Sequence, residues 1–184
     1  MLRRYVLTGA PGAGKTVLLR RLETLGFAVV EEAATDVIAL EQARGVAEPW
    51  LGPGFTDAIA DLQRRRLAAA GDRVGQVPGV QVYDRSPVCT LALARFQGRS
   101  RSAFLEAELA RIEAEAAYQR QVLFVRGLGF VTHTEARRIS LADARRFERI
   151  HEETYLEFGY ELLDIAPAPV DERAERVRAL LCGG

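Results

Sequence analysis

Gly9-Ala10-Pro11-Gly12-Ala13-Gly14-Lys15-Thr16 is the stretch that decides how this chain is read. It fits G-x-x-x-x-G-K-[ST] at every fixed position. Before it stands Tyr5-Val6-Leu7, a short apolar run that reads as a buried strand. After it, Thr16 to Leu25 carries Val17, Leu18, Leu22 and Leu25 at helical spacing, and Gly26 stops the helix. Strand, glycine-rich turn and helix together suit one chemistry. Glycines let the backbone turn tightly enough for successive N–H groups to converge on phosphate oxygens. The helix N-terminus adds its positive end. In such loops the lysine reaches the β- and γ-phosphates and the hydroxyl takes a place on Mg²⁺. Gly9, Ala10, Pro11, Gly12, Ala13, Gly14, Lys15 and Thr16 are therefore the candidate phosphate-binding residues, with Thr16 also a candidate metal ligand.

Lys15 stands out further: of 25 basic residues it is the single lysine, and the other 24 are arginine. A phosphate cradle needs a compact, rotatable charge, for which the planar fork of arginine is a poor substitute. The remaining composition sets bounds. A chain of 184 residues makes one α/β domain and can bury roughly 70% of its unfolded surface, so it needs no disulfide or metal staple. With 48% apolar and 27% charged residues it reads as globular. Its 25 acidic residues balance the 25 basic ones, which argues against bulk capture of nucleic acid or anionic membrane. Cys89 and Cys182 lack CxxC spacing and fit free thiols in a reducing compartment. The apolar run behind Arg3 and Arg4 is too short for a signal peptide, and no stretch approaches the ~20 apolar residues of a membrane span. A cytoplasmic location is expected.

Outward from the cradle, short apolar runs alternate with helical patterns. Phe27 to Val30, Val80 to Tyr83, Val122 to Val125 and Tyr160 to Ile165 read as further strands. Helices are expected over Ala33 to Ala43, Thr56 to Ala70, Pro87 to Gln97, Ser102 to Arg120, Ser140 to Phe158 and Val170 to Leu181. Ser140 is the expected N-cap of its helix and Gly159 its stop. Glu48 to Gly54 is a Gly- and Pro-dense loop holding Trp50, which either packs or covers an acceptor site. This alternation predicts a parallel sheet of five strands with helices on both faces.

In such sheets ligands sit beyond the carboxyl ends of the strands. Glu31 and Glu32 close the second strand and Asp84 the third. A metal-bound triphosphate needs an acidic partner, and a phosphotransferase also needs a base that orients its acceptor. Asp84 fits the first role, as a second candidate metal ligand. Glu31 or Glu32 fits the second; alternation does not choose between them, and Glu32 is carried forward as the candidate. Arg85 could neutralise charge on a transferring phosphoryl group. Arg137 and Arg138 lie between the fourth strand and the capped helix, where P-loop kinases carry a lid whose arginines clamp phosphates. The lid is placed at residues 127–140. Arg64-Arg65-Arg66 reads as a solvated helix face, with contact to an anionic substrate as the alternative, and His133 and His151 as ordinary polar residues.

The cradle, Val29-Val30-Glu31-Glu32-Ala33-Ala34, Tyr83-Asp84-Arg85-Ser86, Arg137-Arg138 and the segment from Gly159-Tyr160 to Arg173 together resemble the AAA-type P-loop ATPases related to the nicotinamide riboside kinase domain. The resemblance covers nearly the whole chain. It implies a three-layer P-loop NTPase fold of strand order 2-3-1-4-5 with a small lid. It also implies MgATP as donor, with adenine placed along Ala166 to Arg173. Thr35 stands where such relatives often carry an arginine. Two functions are then in play. One is ATP-dependent phosphoryl transfer to a small hydroxyl-bearing acceptor, a nucleoside-like molecule among the candidates, with residues 33–70 as a helical insertion on the acceptor side. The other is an ATPase whose nucleotide state switches a protein partner. No N-K-x-D base-reading motif is present for a GTPase.

Overall fold

The apolar runs assemble into one sheet. The computed structural model describes residues 2–9, 11–127 and 140–183. Its strands are β1 (Arg3–Thr8), β2 (Ala28–Val30), β3 (Val80–Asp84), β4 (Gln121–Val125) and β5 (Glu161–Ile165). All neighbours pair in parallel, in the order β2-β3-β1-β4-β5. The helices are α1 (Lys15–Thr24), α2 (Ala33–Ala43), α3 (Phe55–Ala70), α4 (Pro87–Phe96), α5 (Ala103–Ala114), α6 (Leu141–Glu157) and α7 (Val170–Cys182). Fold class and strand order are as the sequence reading expected.

Alternation along β1 builds the layers. Tyr5 and Leu7 face a core made with Leu18, Leu19 and Leu22 of α1 and Ala174, Val177 and Leu181 of α7. Val6 faces the opposite core, with Val88, Cys89 and Leu91 of α4, Leu105 and Leu109 of α5 and Tyr155 of α6. Both faces of the central strands are thus covered, which is why they read as continuous apolar runs. Leu18 and Leu22 are fully buried, each stabilising the fold by roughly 1.5–3 kcal/mol. A smaller cluster of Ala33, Val37, Phe55 and Ile59 joins α2 to α3, with Trp50 packed against it. The loop before α3 includes a single 3₁₀ turn, Pro49–Leu51, and Arg99 donates to the carbonyls of Trp50 and Gly52 beside it.

The helix expected over Ser102 to Arg120 ends early. α5 stops at Ala114, because Ala116 takes φ 44° while Ala117 N donates back to Ile112 O and Ala116 N to Glu113 O. That reversal is a Schellman turn on a non-glycine residue. It carries Ala117 and Tyr118 into the core, where Tyr118 meets Tyr83 edge to face. The alanine- and glutamate-rich composition favours more helix; burial of these two side chains overrides it. Ser140 caps α6 as expected, its Oγ accepting from Asp143 N at 3.0 Å. Among the described residues no helix is long and apolar enough to cross a membrane.

Candidate functional site

β1 delivers the chain to the cradle, and the two sheet partners of its last residues fix where the site lies. Leu7 is level with Asp84 of β3 and Thr8 with Phe124 of β4. Gly9 turns at φ 134° so close to β4 that a Cβ there would sit 2.2 Å from the Val125 carbonyl oxygen. Backbone cannot yield to that, so only glycine fits. Gly12 and Gly14 follow at φ 83° and 79°. Gly14 then acts as N-cap of α1, its carbonyl accepting from Leu18 N at 3.1 Å. Ala10 lies outside the described residues.

Lys15 is buried at the first position of α1. Burial, followed by the neighbouring Arg85 charge, lowers its pKa from 10.5 to about 7. Asp84, Glu32 and Cys89 pull the other way and are outweighed. Thr16, one residue on, is exposed. Asp84 ends β3 in the interior at 4% exposure. A hydroxyl and a carboxylate are hard oxygen donors that suit Mg²⁺, which keeps most of its shell as water and phosphate oxygen. Thr16 and Asp84 therefore fit the implied ion. Among the described residues no group of three or more His, Cys, Asp or Glu side chains forms a closed metal cage.

The end of β2 resolves the choice between the glutamates. Glu31 turns outward and pairs with Arg20 on the surface. Glu32 turns inward: Arg85 Nε donates to its Oε1 at 2.5 Å and Thr35 Oγ1 to its Oε2 at 2.8 Å. Burial pushes the Glu32 carboxyl up, but Arg85 and then Lys15 outweigh it and hold the pKa at about 2. Its backbone is fixed from α3, where Arg66 Nη1 donates to the carbonyls of Glu31 and Glu32 at 2.8 and 2.7 Å. Arg66 also pairs with Asp36 of α2. The solvated-face reading of Arg64 to Arg66 thus holds for the first two, which pair with Asp61, and fails for Arg66.

Arg85 follows β3 at φ 73°, a left-handed conformation that costs a non-glycine residue about 1–2 kcal/mol. Its N–H continues the ladder to Leu7 O at 3.0 Å, so the side chain is aimed by the sheet. Nη1 lies 3.1 Å from His151 Nε2. His151 is a fully buried residue of α6, not the ordinary polar residue its sequence context suggests. Beneath the site, Cys89 Sγ bridges Thr8 Oγ1 and Tyr155 Oη at 3.0 Å each, and Ser86 Oγ meets the same phenol at 2.8 Å. Arg173 of α7 reaches the cradle from the other side, Nη1 donating to Ala13 O at 2.9 Å. His151 and Arg66 are contributors that the sequence does not single out, and Arg173, expected only at the end of the adenine segment, is found on the cradle instead. Arg137, Arg138 and most of the expected lid lie outside the described residues.

A parallel 2-3-1-4-5 sheet, with a glycine cradle closing its first strand and a buried acid closing the third, defines a P-loop NTPase: a protein that binds a nucleotide and hydrolyses it or transfers its phosphate. Comparison with family models agrees, since the AAA domain model matches residues 4–173. The chain belongs to that family of P-loop NTPases. No curated protein matches it significantly.

Proposed function

We propose that this protein is an ATP-dependent phosphotransferase that moves the γ-phosphoryl group to a hydroxyl of a small metabolite. The observation that carries the reading is Glu32. Its carboxylate is held ionised by Arg85 and Lys15, keeps 21% of its side chain exposed, and stands at the sheet edge that faces the cradle. Binding a nucleotide requires no such group, whereas aligning an acceptor hydroxyl does.

Lys15 and the N–H groups from Gly12 to Thr16 hold the phosphates. Thr16 and Asp84 hold Mg²⁺, which neutralises charge on the phosphate oxygens when bound. Glu32 accepts a hydrogen bond from the acceptor hydroxyl and receives its proton as the oxygen attacks phosphorus. The bond from phosphorus to the β–γ bridging oxygen breaks, and ADP leaves. Arg85 balances charge on the phosphoryl group in flight. Arg137 and Arg138 of the expected lid add positive charge for the phosphates, and the 33–70 insertion serves the acceptor. A nucleoside-like molecule is among the candidate acceptors.

³¹P NMR of MgATP with pooled nucleosides, ribosides and sugars tests this, using wild type and Lys15→Ala. A new phosphoester resonance that needs both Lys15 and one metabolite is the expected result. Release of inorganic phosphate alone, indifferent to every metabolite, sinks the kinase reading and leaves an ATPase that switches a protein partner.

A further inference from the structure

We propose that Arg173 is a positioning residue of the phosphate cradle, setting the Ala13–Gly14 peptide so that the Gly14 N–H faces the bound phosphates. In a trans peptide the C=O of one residue and the N–H of the next point in opposite directions. Arg173 Nη1 takes the Ala13 carbonyl at 2.9 Å from the α7 side. The Gly14 N–H is thereby turned away from α7, toward the concave side of the loop where the anion sits. The guanidinium lies against the same peptide: Nη1 and Nη2 are each 3.1 Å from where a Gly14 Cβ would be. An alanine at Gly14 would therefore press on this clamp as well as strain the backbone.

Arg173 is an unusual choice for mere packing. It is only 6% exposed, its Nε is buried with no hydrogen-bond partner, and among the described residues no carboxylate pairs with it. A buried cation with so few partners costs stability unless an anion nearby compensates it. The anion the fold provides for is the phosphate chain on the far side of the Ala13–Gly14 peptide. Arg173 also sits in the first turn of α7, at the end of the segment where the family resemblance places the adenine, so one side chain ties the base end of the nucleotide to the phosphate end. It would act this way in a kinase and in a switch ATPase alike, and so stands apart from the choice of acceptor.

The test is calorimetric titration of the full chain with MgADP and with magnesium tripolyphosphate, which has no base to touch α7. Arg173→Met is expected to weaken both by about tenfold to a hundredfold, the range for losing a charge-assisted hydrogen bond. Arg176→Met, the same change on the solvent side of α7, is expected to leave both at wild-type strength. Arg173→Lys, which keeps a donor of similar reach, should retain tripolyphosphate binding within about fivefold. In ¹⁵N-labelled protein the Gly14 amide should shift on tripolyphosphate binding in wild type and in Arg173→Lys. Wild-type affinity in Arg173→Met overturns the proposal, as does a loss for MgADP with tripolyphosphate unchanged. If the methionine variant does not fold, a loss beyond tenfold for tripolyphosphate in a folded Arg173→Lys does the same.

Discussion

Arg85 donates from Nη1 to His151 Nε2 across 3.1 Å, while His151 Nδ1 donates to the Phe147 carbonyl at 2.9 Å. Both ring nitrogens are thus committed, and the imidazole is the neutral tautomer with its proton on Nδ1. A second proton would set an N–H against the guanidinium. Burial, then Arg85, accordingly keep the His151 pKa well below 6.5, with the Phe147 carbonyl opposing and Lys15 adding to the depression. A helix far along the chain therefore orients the arginine that Glu32 holds from the other side.

His151→Phe should leave the Arg85 donor unsatisfied in the interior, costing about 1–3 kcal/mol of stability. Nucleotide turnover should fall with little change in nucleotide KM, because the role proposed for Arg85 is toward the phosphoryl group in transit. His151→Gln, which offers an acceptor near the Nε2 position, should recover most of it. The pH dependence gives an independent check. A base whose folded pKa lies below its unfolded value takes up its proton on unfolding, so stability falls as pH drops below 6.5. The slope can reach about 1.4 kcal/mol per pH unit. Wild type should lose Tm between pH 6.5 and 5, and His151→Phe much less; equal losses in both would show that His151 is not the group responsible.

Glu32 and Glu31 are adjacent in sequence but differ in consequence. Glu32→Gln keeps the size and one acceptor yet removes the carboxylate, and turnover should drop by about 10²–10⁴ while nucleotide affinity stays near wild type. Glu31→Gln breaks only a surface pair with Arg20 and should change stability by no more than about 0.5 kcal/mol. Depressed to about 2 from 4.5, the Glu32 pKa also makes an acid-range prediction. Its contribution is full above about pH 4.5 and is lost as pH falls toward 2, a window below that of His151. A turnover defect in Glu31→Gln as large as that in Glu32→Gln would reverse the assignment.

What could be read from the sequence, and what could not, follows from the range of the interactions involved. The cradle was legible because its chemistry is local: eight consecutive residues supply the turn, the charge and the hydroxyl. The strands were legible because a sheet covered on both faces needs unbroken apolar runs. Residues whose partners lie far along the chain were not legible. Arg173 meets Ala13 across 160 positions and His151 meets Arg85 across 66, and neither pattern differs locally from an ordinary amphipathic helix. Arg64, Arg65 and Arg66 are one run, yet only the third points at the end of β2. The end of α5 was missed for a related reason, since Ala116 adopts a glycine-like conformation to bury Ala117 and Tyr118. Whether Glu31 or Glu32 faces inward likewise depends on where Arg85 comes to rest.

Lys15 should make nucleotide binding take up a proton. Its pKa of about 7 in the free protein leaves the amine largely neutral at pH 8.5, and polyphosphate must raise that value to hold the charged form. Titration of MgATP at pH 8.5 in buffers of differing ionisation enthalpy should therefore show uptake approaching one proton. Affinity should fall about tenfold per pH unit as pH rises above 7. Lys15→Met should bind weakly and show neither effect. In the free protein the same shift makes stability rise with pH between about 7 and 10.5, because there the unfolded chain binds the extra proton. Proton-neutral binding by wild type at pH 8.5 would remove the basis for this prediction.

Gly9 and Gly98 separate steric exclusion from backbone preference. Both have positive φ, at 134° and 67°. A Cβ at Gly98 would meet nothing within 4 Å, so Gly98→Ala should cost only the left-handed penalty of about 1–2 kcal/mol. A Cβ at Gly9 would collide with the Val125 carbonyl at 2.2 Å, and that carbonyl belongs to the strand paired with β1. Relief requires the first and fourth strands to part at the mouth of the cradle. Gly9→Ala should therefore cost about 3 kcal/mol or more in urea denaturation, and should abolish nucleotide protection of the fold as well. Equal stabilities for the two variants, with nucleotide protection intact in Gly9→Ala, would mean that β1 and β4 are not held this close beside the phosphate loop.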